Sequence, residues 1–145
     1  MIYFHTESIA FTLKNKILLK KWIVSVIEEY QRKAGEISFI FCSDTHLLSI
    51  NQQYLQHDTY TDIITFDYSK PSKSLPISGD IFISVERVME NANAFSKKTE
   101  DELYRVIIHG ILHLLGFKDK TPGQKKKMRE AENKCLKKLK LPHHA

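Results

Sequence analysis

His109 and His113 stand four residues apart in HGILHLLGFKDK, residues 109–120. On a helix that spacing sets two imidazoles one turn apart on one face, where both can reach a single ion. Two histidines in an apolar helix serve equally well as hydrogen-bonded core, so the pair alone decides little. Gly116 follows where such a helix must end, and glycine readily takes the left-handed turn that sends a chain back across a helix end. Asp119 comes three residues later, so this reversal would swing a carboxylate towards the two rings. Three protein ligands leave one coordination position open for water, as in catalytic rather than structural zinc sites. The spacing therefore predicts one divalent ion on His109, His113 and Asp119. Zinc comes first on availability and geometry, although nickel, cobalt or iron also suit two imidazoles and a carboxylate.

The pattern is similar to the zinc-peptidase motif HExxHxxG with a third ligand beyond it, but Gly110 stands where those enzymes carry the glutamate that acts as general base. Peptide hydrolysis thus lacks its proton acceptor. An ion that activates water and neutralises a phosphate oxygen needs no carboxylate at 110, so phosphodiester hydrolysis fits better.

Charge points the same way. Of the net +5, the segment Lys118–Lys140 holds ten basic against three acidic residues, so the remainder of the chain is slightly negative. A positive face beside a metal site favours a polyanion such as nucleic acid, the alternative being a solvated helix face. Lys118, Lys120, Lys125, Lys126 and Lys127 are the candidate RNA-binding residues. No run reaches the roughly 20 apolar residues of a spanning helix, and the N-terminal MIYFHTESIAF lacks the pattern of a signal peptide. The expectation is a soluble, unexported, cytoplasmic protein with no membrane partner. Cys42 and Cys135 have neither CxxC spacing nor a disulfide framework and are read as reduced and inert.

The elements that must position these residues follow from periodicity. Strands are expected at 2–5, 36–42, 62–66 and 80–84, from β-branched and aromatic runs, with a loop at 69–78 (SKPSKSLPIS). A helix carries Leu13, Ile17, Leu18, Ile27 and Tyr30 and should stop at Gly35. Others start at Ser43 or Asp44 and at Ser84, the latter with Val85, Val88, Met89, Ala92 and Phe95 on one side. Thr99 with Glu102 reads as a capping box opening the histidine helix, which is apolar nearly all round and should be buried and central. Thr121, Pro122 and Gln124 open the last helix, with Met128, Ala131, Cys135 and Leu139 facing inward. One domain over residues 1–145 is expected, α+β with α/β-like layers: a small mixed sheet of four strands packed with about five helices.

Three blocks, HGILHLLGFKDK (109–120), LSINQQYLQHDTYTDIITFDY (48–68) and SGDIFIS (78–84), resemble the YbeY family of bacterial endoribonucleases. The resemblance implies zinc on His109, His113 and Asp119, and action on single-stranded RNA in ribosomal RNA maturation. It further implies late processing of the 16S rRNA 3′ end, ribosome quality control, and ribosomal subunits and ribosome-associated proteins as partners. Asp119 departs from the family's common histidine, a change a subgroup shares, and Leu55 stands where many members place an arginine. Lys118, Lys120 or His57 are the candidates to replace that arginine. His57, Asp62 and Asp80 are the candidate catalytic side chains besides the bound water, with Thr61 beside them. An acid opening a strand most often caps a turn, and His57 has the alternative of a plain loop residue. His5, His46, His143 and His144 are read as structural or solvated. The rival functions are a ribosome-assembly factor with a structural metal and a metallohydrolase of another class.

Overall fold

The computed structural model describes residues 1–57, 59–69 and 75–141. Its elements run β1 (Ile2–Glu7), α1 (Lys16–Glu29), β2 (Ala34–Cys42), α2 (Asp44–Leu55), β3 (Ile63–Asp67), β4 (Ile77–Ser84), α3 (Val85–Ala94), α4 (Thr99–Leu114) and α5 (Pro122–Lys138). The sheet has the order β1-β2-β4-β3, with β1, β2 and β4 parallel and β3 antiparallel to β4. This is the expected α+β arrangement of four strands and five helices.

Alternation along the strands decides which face is covered. Ile37, Phe39 and Phe41 of β2 and Ile77, Ile81 and Ile83 of β4 point to the main core, where α1 and α4 supply Ile23, Val26, Ile107, Ile108 and Ile111. The opposite face holds a smaller cluster of Cys42, Leu47, Ile50 and Ile64, covered by α2. Helix α4 is buried on nearly every side and packs against β3, β4, α1, α3 and α5, so it is the central element its composition implied.

Several boundaries differ from expectation for local reasons. Helix α1 begins only at Lys16 and ends at Tyr30, because Gln31 turns left-handed (φ 60°); Gly35 lies inside β2, next to a register irregularity, rather than at a helix end. Its seam runs through Leu19, Trp22, Ile23 and Val26, leaving Ile17 exposed. Strand β4 starts at Ile77, so Asp80 is interior to the strand and 77–78 are not loop. Residues 70–74 of the expected loop, and His143 and His144, lie outside the described residues. On α3, Val88 and Ala92 are buried but Met89 and Phe95 face out. The capping box at Thr99 does not form: Lys98 is the N-cap, without a side-chain hydrogen bond. Glu100, Asp101 and Glu102 in the first turn favour the helix dipole instead. At α5 the box does form, with Thr121 accepting from the Gln124 N–H and Gln124 from the Thr121 N–H.

Candidate metal centre and its cleft

Helix α4 ends in a Schellman turn that places the third candidate ligand. The Phe117 N–H donates to the Leu112 carbonyl and the Gly116 N–H to the His113 carbonyl, each at 3.0 Å, with Gly116 at φ 105°. The chain doubles back, and Asp119 Oδ2 comes to 3.3 Å from His109 Nε2 and 3.4 Å from His113 Nε2. Ligands about 2.05 Å from a tetrahedral ion stand about 3.3 Å apart, so Asp119 Oδ2 is spaced from each imidazole nitrogen as an edge of such a site requires, and the three ligand atoms all lie within 4.8 Å of one another.

Each ring is held by its other nitrogen. His113 Nδ1 lies 3.0 Å from the Phe117 carbonyl, which can only accept, so Nδ1 carries the proton and Nε2 keeps its lone pair for an ion. His109 Nδ1 donates to Glu132 Oε2 at 2.7 Å. Glu132 is buried and its other oxygen accepts from Arg105 Nη1 at 2.8 Å, while Arg105 Nη2 donates to Asn133 Oδ1 at 2.8 Å. A carboxylate behind a ligating histidine fixes its tautomer and makes the free nitrogen a better donor.

The charges answer to the same contacts. Burial opposes charge on His109, but the Glu132 hydrogen bond and charge, with Asp119 and Asp62, outweigh it and hold the ring's pKa above the ordinary imidazole range. Burial likewise works to raise Glu132, and the His109 and Arg105 hydrogen bonds overcome it, leaving the carboxyl below its usual range. His113 is pushed down by burial and by the charge of His109.

The triad opens into a cleft of about 1110 Å³ between α4, α5 and the α2–β3 segment. That is at the upper end of the roughly 300–1,000 Å³ of ligand pockets.

A family profile described as endoribonuclease YbeY matches residues 2–140. The chain belongs to this endoribonuclease family. The YbeY endoribonuclease of Parabacteroides distasonis is 50% identical over 93% of this chain and 93% of its own. That of Bacteroides thetaiotaomicron is 49% identical over 93% of this chain and 96% of its own. The solution structure of a Thermotoga maritima protein superposes with TM-score 0.67 at 28% identity, covering 96% of this chain and 89% of that one.

Within this YbeY fold the other candidates separate. His57, Thr61 and half-buried Asp62 line the cleft with the triad, and burial pushes the Asp62 carboxyl up despite the charge of His109. Asp80 is not among the lining residues; it accepts a hydrogen bond from Tyr68 Oη at 2.9 Å. Of the basic candidates Lys125 lines the cleft, whereas Lys118, Lys120, Lys126 and Lys127 are exposed elsewhere. Leu55 is on the wall, at the end of α2. His46 pairs with Glu7 at 3.3 Å, and His5 stacks on Tyr3. Cys42 and Cys135 are buried, their thiols pushed up to about 12 and about 11 by burial, which keeps them unreactive.

Position 110 needs a separate account. A Cβ on Gly110 would stand 2.9 Å from Ile81 Cγ2 and 3.2 Å from Ile63 Cδ1, so this position faces the sheet and α4 lies too close for a side chain. A glutamate there would point into the core, and the missing peptidase base is a packing requirement of this fold.

Sequence reasoning missed Glu132, Arg105, Arg129 and Lys97, all on the cleft. Glu132 left a signal: it stands four residues from Met128 and three before Cys135, on the inward stripe of an otherwise basic helix. An acid on the buried side of such a helix implies a partner.

Proposed function

We propose that this chain is a zinc-dependent endoribonuclease that cuts single-stranded RNA during ribosomal RNA maturation. The proposal includes late processing at the 16S rRNA 3′ end and ribosome quality control. It places the protein in the cytoplasm as one domain, with ribosomal subunits and ribosome-associated proteins as partners. Among the described residues no helix is long and apolar enough to cross a membrane. The observation that carries the reading is the convergence of His109, His113 and Asp119 on an open cleft, their ligand atoms within 4.8 Å of one another.

In this reading His109, His113 and Asp119 hold the ion, which supplies a Lewis acid and neutralises charge on the scissile phosphate. The chain's own groups do the rest. Glu132 and the Phe117 carbonyl hold the two imidazoles with Nε2 towards the ion. Asp62, half-buried in the cleft with its carboxyl pushed up by burial, is the assigned proton-transfer group, with His57 on the same cleft. Lys125 and Arg129 of α5 face the same space and are assigned to the RNA backbone, a contact that salt should weaken.

The test maps ribosomal RNA ends in the source bacterium after depletion of this protein, complemented by wild type, His113→Ala or Asp119→Ala at matched soluble levels. Restoration by wild type alone supports the reading. Equal restoration by the variants moves the assignment to an assembly factor, a role Leu55 favours by its lack of charge. A structural ion would then be needed for folding, whereas α4 is anchored here by its apolar residues and its Schellman turn.

A further inference from the structure

The cleft has a second end, at the corner between α3 and α4. Helix α3 also closes in a Schellman turn: the Lys97 N–H donates to the Ala92 carbonyl at 2.8 Å and the Ser96 N–H to the Asn93 carbonyl at 3.2 Å. The reversing residue is Ser96 at φ 54°, a left-handed conformation that residues other than glycine rarely take. The corner turns Phe95 away from the seam of Val88 and Ala92, and leaves it 62% exposed on the cleft wall. Lys97 lines the same cleft with Nζ 5.8 Å from the Phe95 ring centroid; among the described residues it makes no salt bridge, its carboxylate neighbour in the cleft being the buried Glu102.

Single exposed aromatics are ordinary on protein surfaces. This one stands beside an ammonium group that makes no salt bridge among the described residues, on a hydrogen-bonded corner, in a cleft shared with a candidate metal centre. From Thr99 to His109, α4 rises roughly 15 Å, so the corner serves a nucleotide farther along the strand than the one being cut.

We propose that Phe95 and Lys97 form a nucleotide subsite for single-stranded RNA, Phe95 stacking on one unpaired base and Lys97 pairing with an adjoining phosphate. The proposal rests on the reading of the cleft as an RNA site. Every base has a π-face, so the subsite is tolerant of sequence; a base inside a duplex is already stacked on both sides, so it selects against paired RNA. The feature that the chemistry of the triad cannot supply, a preference for unpaired strands, is thereby placed on the far end of the cleft.

The test uses the zinc-loaded full chain and a fluorescein-labelled single-stranded RNA carrying one 2-aminopurine, with anisotropy and quenching read in stopped flow before turnover. Stacking on an aromatic side chain corresponds to a loss of about 5- to 150-fold on removal. Phe95→Ala and Phe95→Leu should both weaken binding within that range and lose the quenching, Phe95→Trp should keep both, and duplex binding should not change. Lys97→Gln should flatten the salt dependence by about one phosphate contact, a slope change of about 0.7. Circular dichroism checks that each variant folds. Wild-type binding and quenching retained in Phe95→Ala would overturn the subsite while leaving the nuclease reading in place. A wild-type chain that neither binds nor cuts the RNA would overturn both.

Discussion

The two walls of the cleft are built differently. On the α4–α5 side, side chains distant in sequence are locked together: His109 to Glu132, Glu132 to Arg105, Arg105 to Asn133, His113 to the Phe117 carbonyl. On the α2–β3 side, the segment after Gln56, itself left-handed at φ 55°, hangs largely on Asn51. That residue is buried, accepts from the His57 N–H at 3.1 Å and donates through Nδ2 to the Thr59 carbonyl at 2.8 Å. Arg87 adds a contact by lying 5.3 Å over the Tyr60 ring. The two imidazoles of the candidate metal centre are thus each held by a hydrogen bond at Nδ1. Among the described residues the facing wall is tied by Asn51, by Arg87 and by the Ser84 N–H bond to the Asp62 carbonyl at 2.9 Å, without the side-chain chain that runs through Glu132 and Arg105.

The strongest way to break this contrast is at the triad. Asp119→Ala or His113→Ala should abolish metal retention and bring RNA cleavage to background, while thermal unfolding of the metal-free proteins stays close to that of metal-free wild type. Metal analysis after dialysis, activity and calorimetry check the three parts. Unfolding of wild type on chelation would instead make the ion a structural one and the locked wall its product.

Next comes Glu132→Gln, expected to weaken metal affinity by roughly 10- to 100-fold with the fold intact. The sign with pH is fixed by the shifts. His109 is raised in the metal-free protein, so its pairing with Glu132 stabilises the fold below the ordinary imidazole pKa and fades as pH rises through the raised value. Glu132 is lowered, so its contribution is present above the usual carboxylate pKa and is lost as pH falls through the lowered value. An ion must compete with the His109 proton, so metal affinity should begin to fall on acidification already above the ordinary imidazole range. In Glu132→Gln that fall should move to lower pH. Chelator competition across a pH series reads it, and an unmoved midpoint would mean that Glu132 does not tune the ring.

The opposite wall should respond in the opposite sense. Asn51→Ala should cost about 1 kcal/mol of stability through the lost Thr59 contact, raise KM for RNA and leave metal affinity unchanged. A loss of metal in this variant would erase the distinction between the walls. The smallest effect is expected for Leu55→Arg, which adds a charge on the loop side: slightly tighter RNA binding and a salt slope steeper by about 0.7, with no change in stability. Titrations at several salt concentrations decide it.

How far the sequence carried this picture depended on whether the cause was local. The spacing of His109, His113, Gly116 and Asp119 is a matter of one helix and its reversal, and it was readable because helix geometry dictates it. The same is true of the α5 box at Thr121 and Gln124. What failed had causes of both kinds, backbone turns that the pattern does not announce and neighbours distant in the chain. Thr99 and Glu102 satisfy a local pattern, but α4 starts at Lys98 without it. Ser78 closes the expected loop, yet it lies in β4 beside Gly79, where a Cβ would come within 2.3 Å of the Phe66 carbonyl oxygen. Phe95 fits an apolar stripe until Ser96 turns the corner. Glu132 was hidden in a basic run because its partner lies 23 residues earlier.

Helix α4 has one more consequence, in the order of synthesis. All four strands lie within residues 2–84, so the sheet's main face is complete before α4 is made. That face, with Ile37, Phe39 and Ile81, then has α1 on it but lacks α4. Domains fold largely as units, so closure of the core awaits the segment ending at Leu114, and Asp119 and Glu132 follow within a few turns. The nascent chain thus acquires a settled interior and its candidate metal triad at nearly the same moment, and a truncated product with a half-covered sheet would lack that triad.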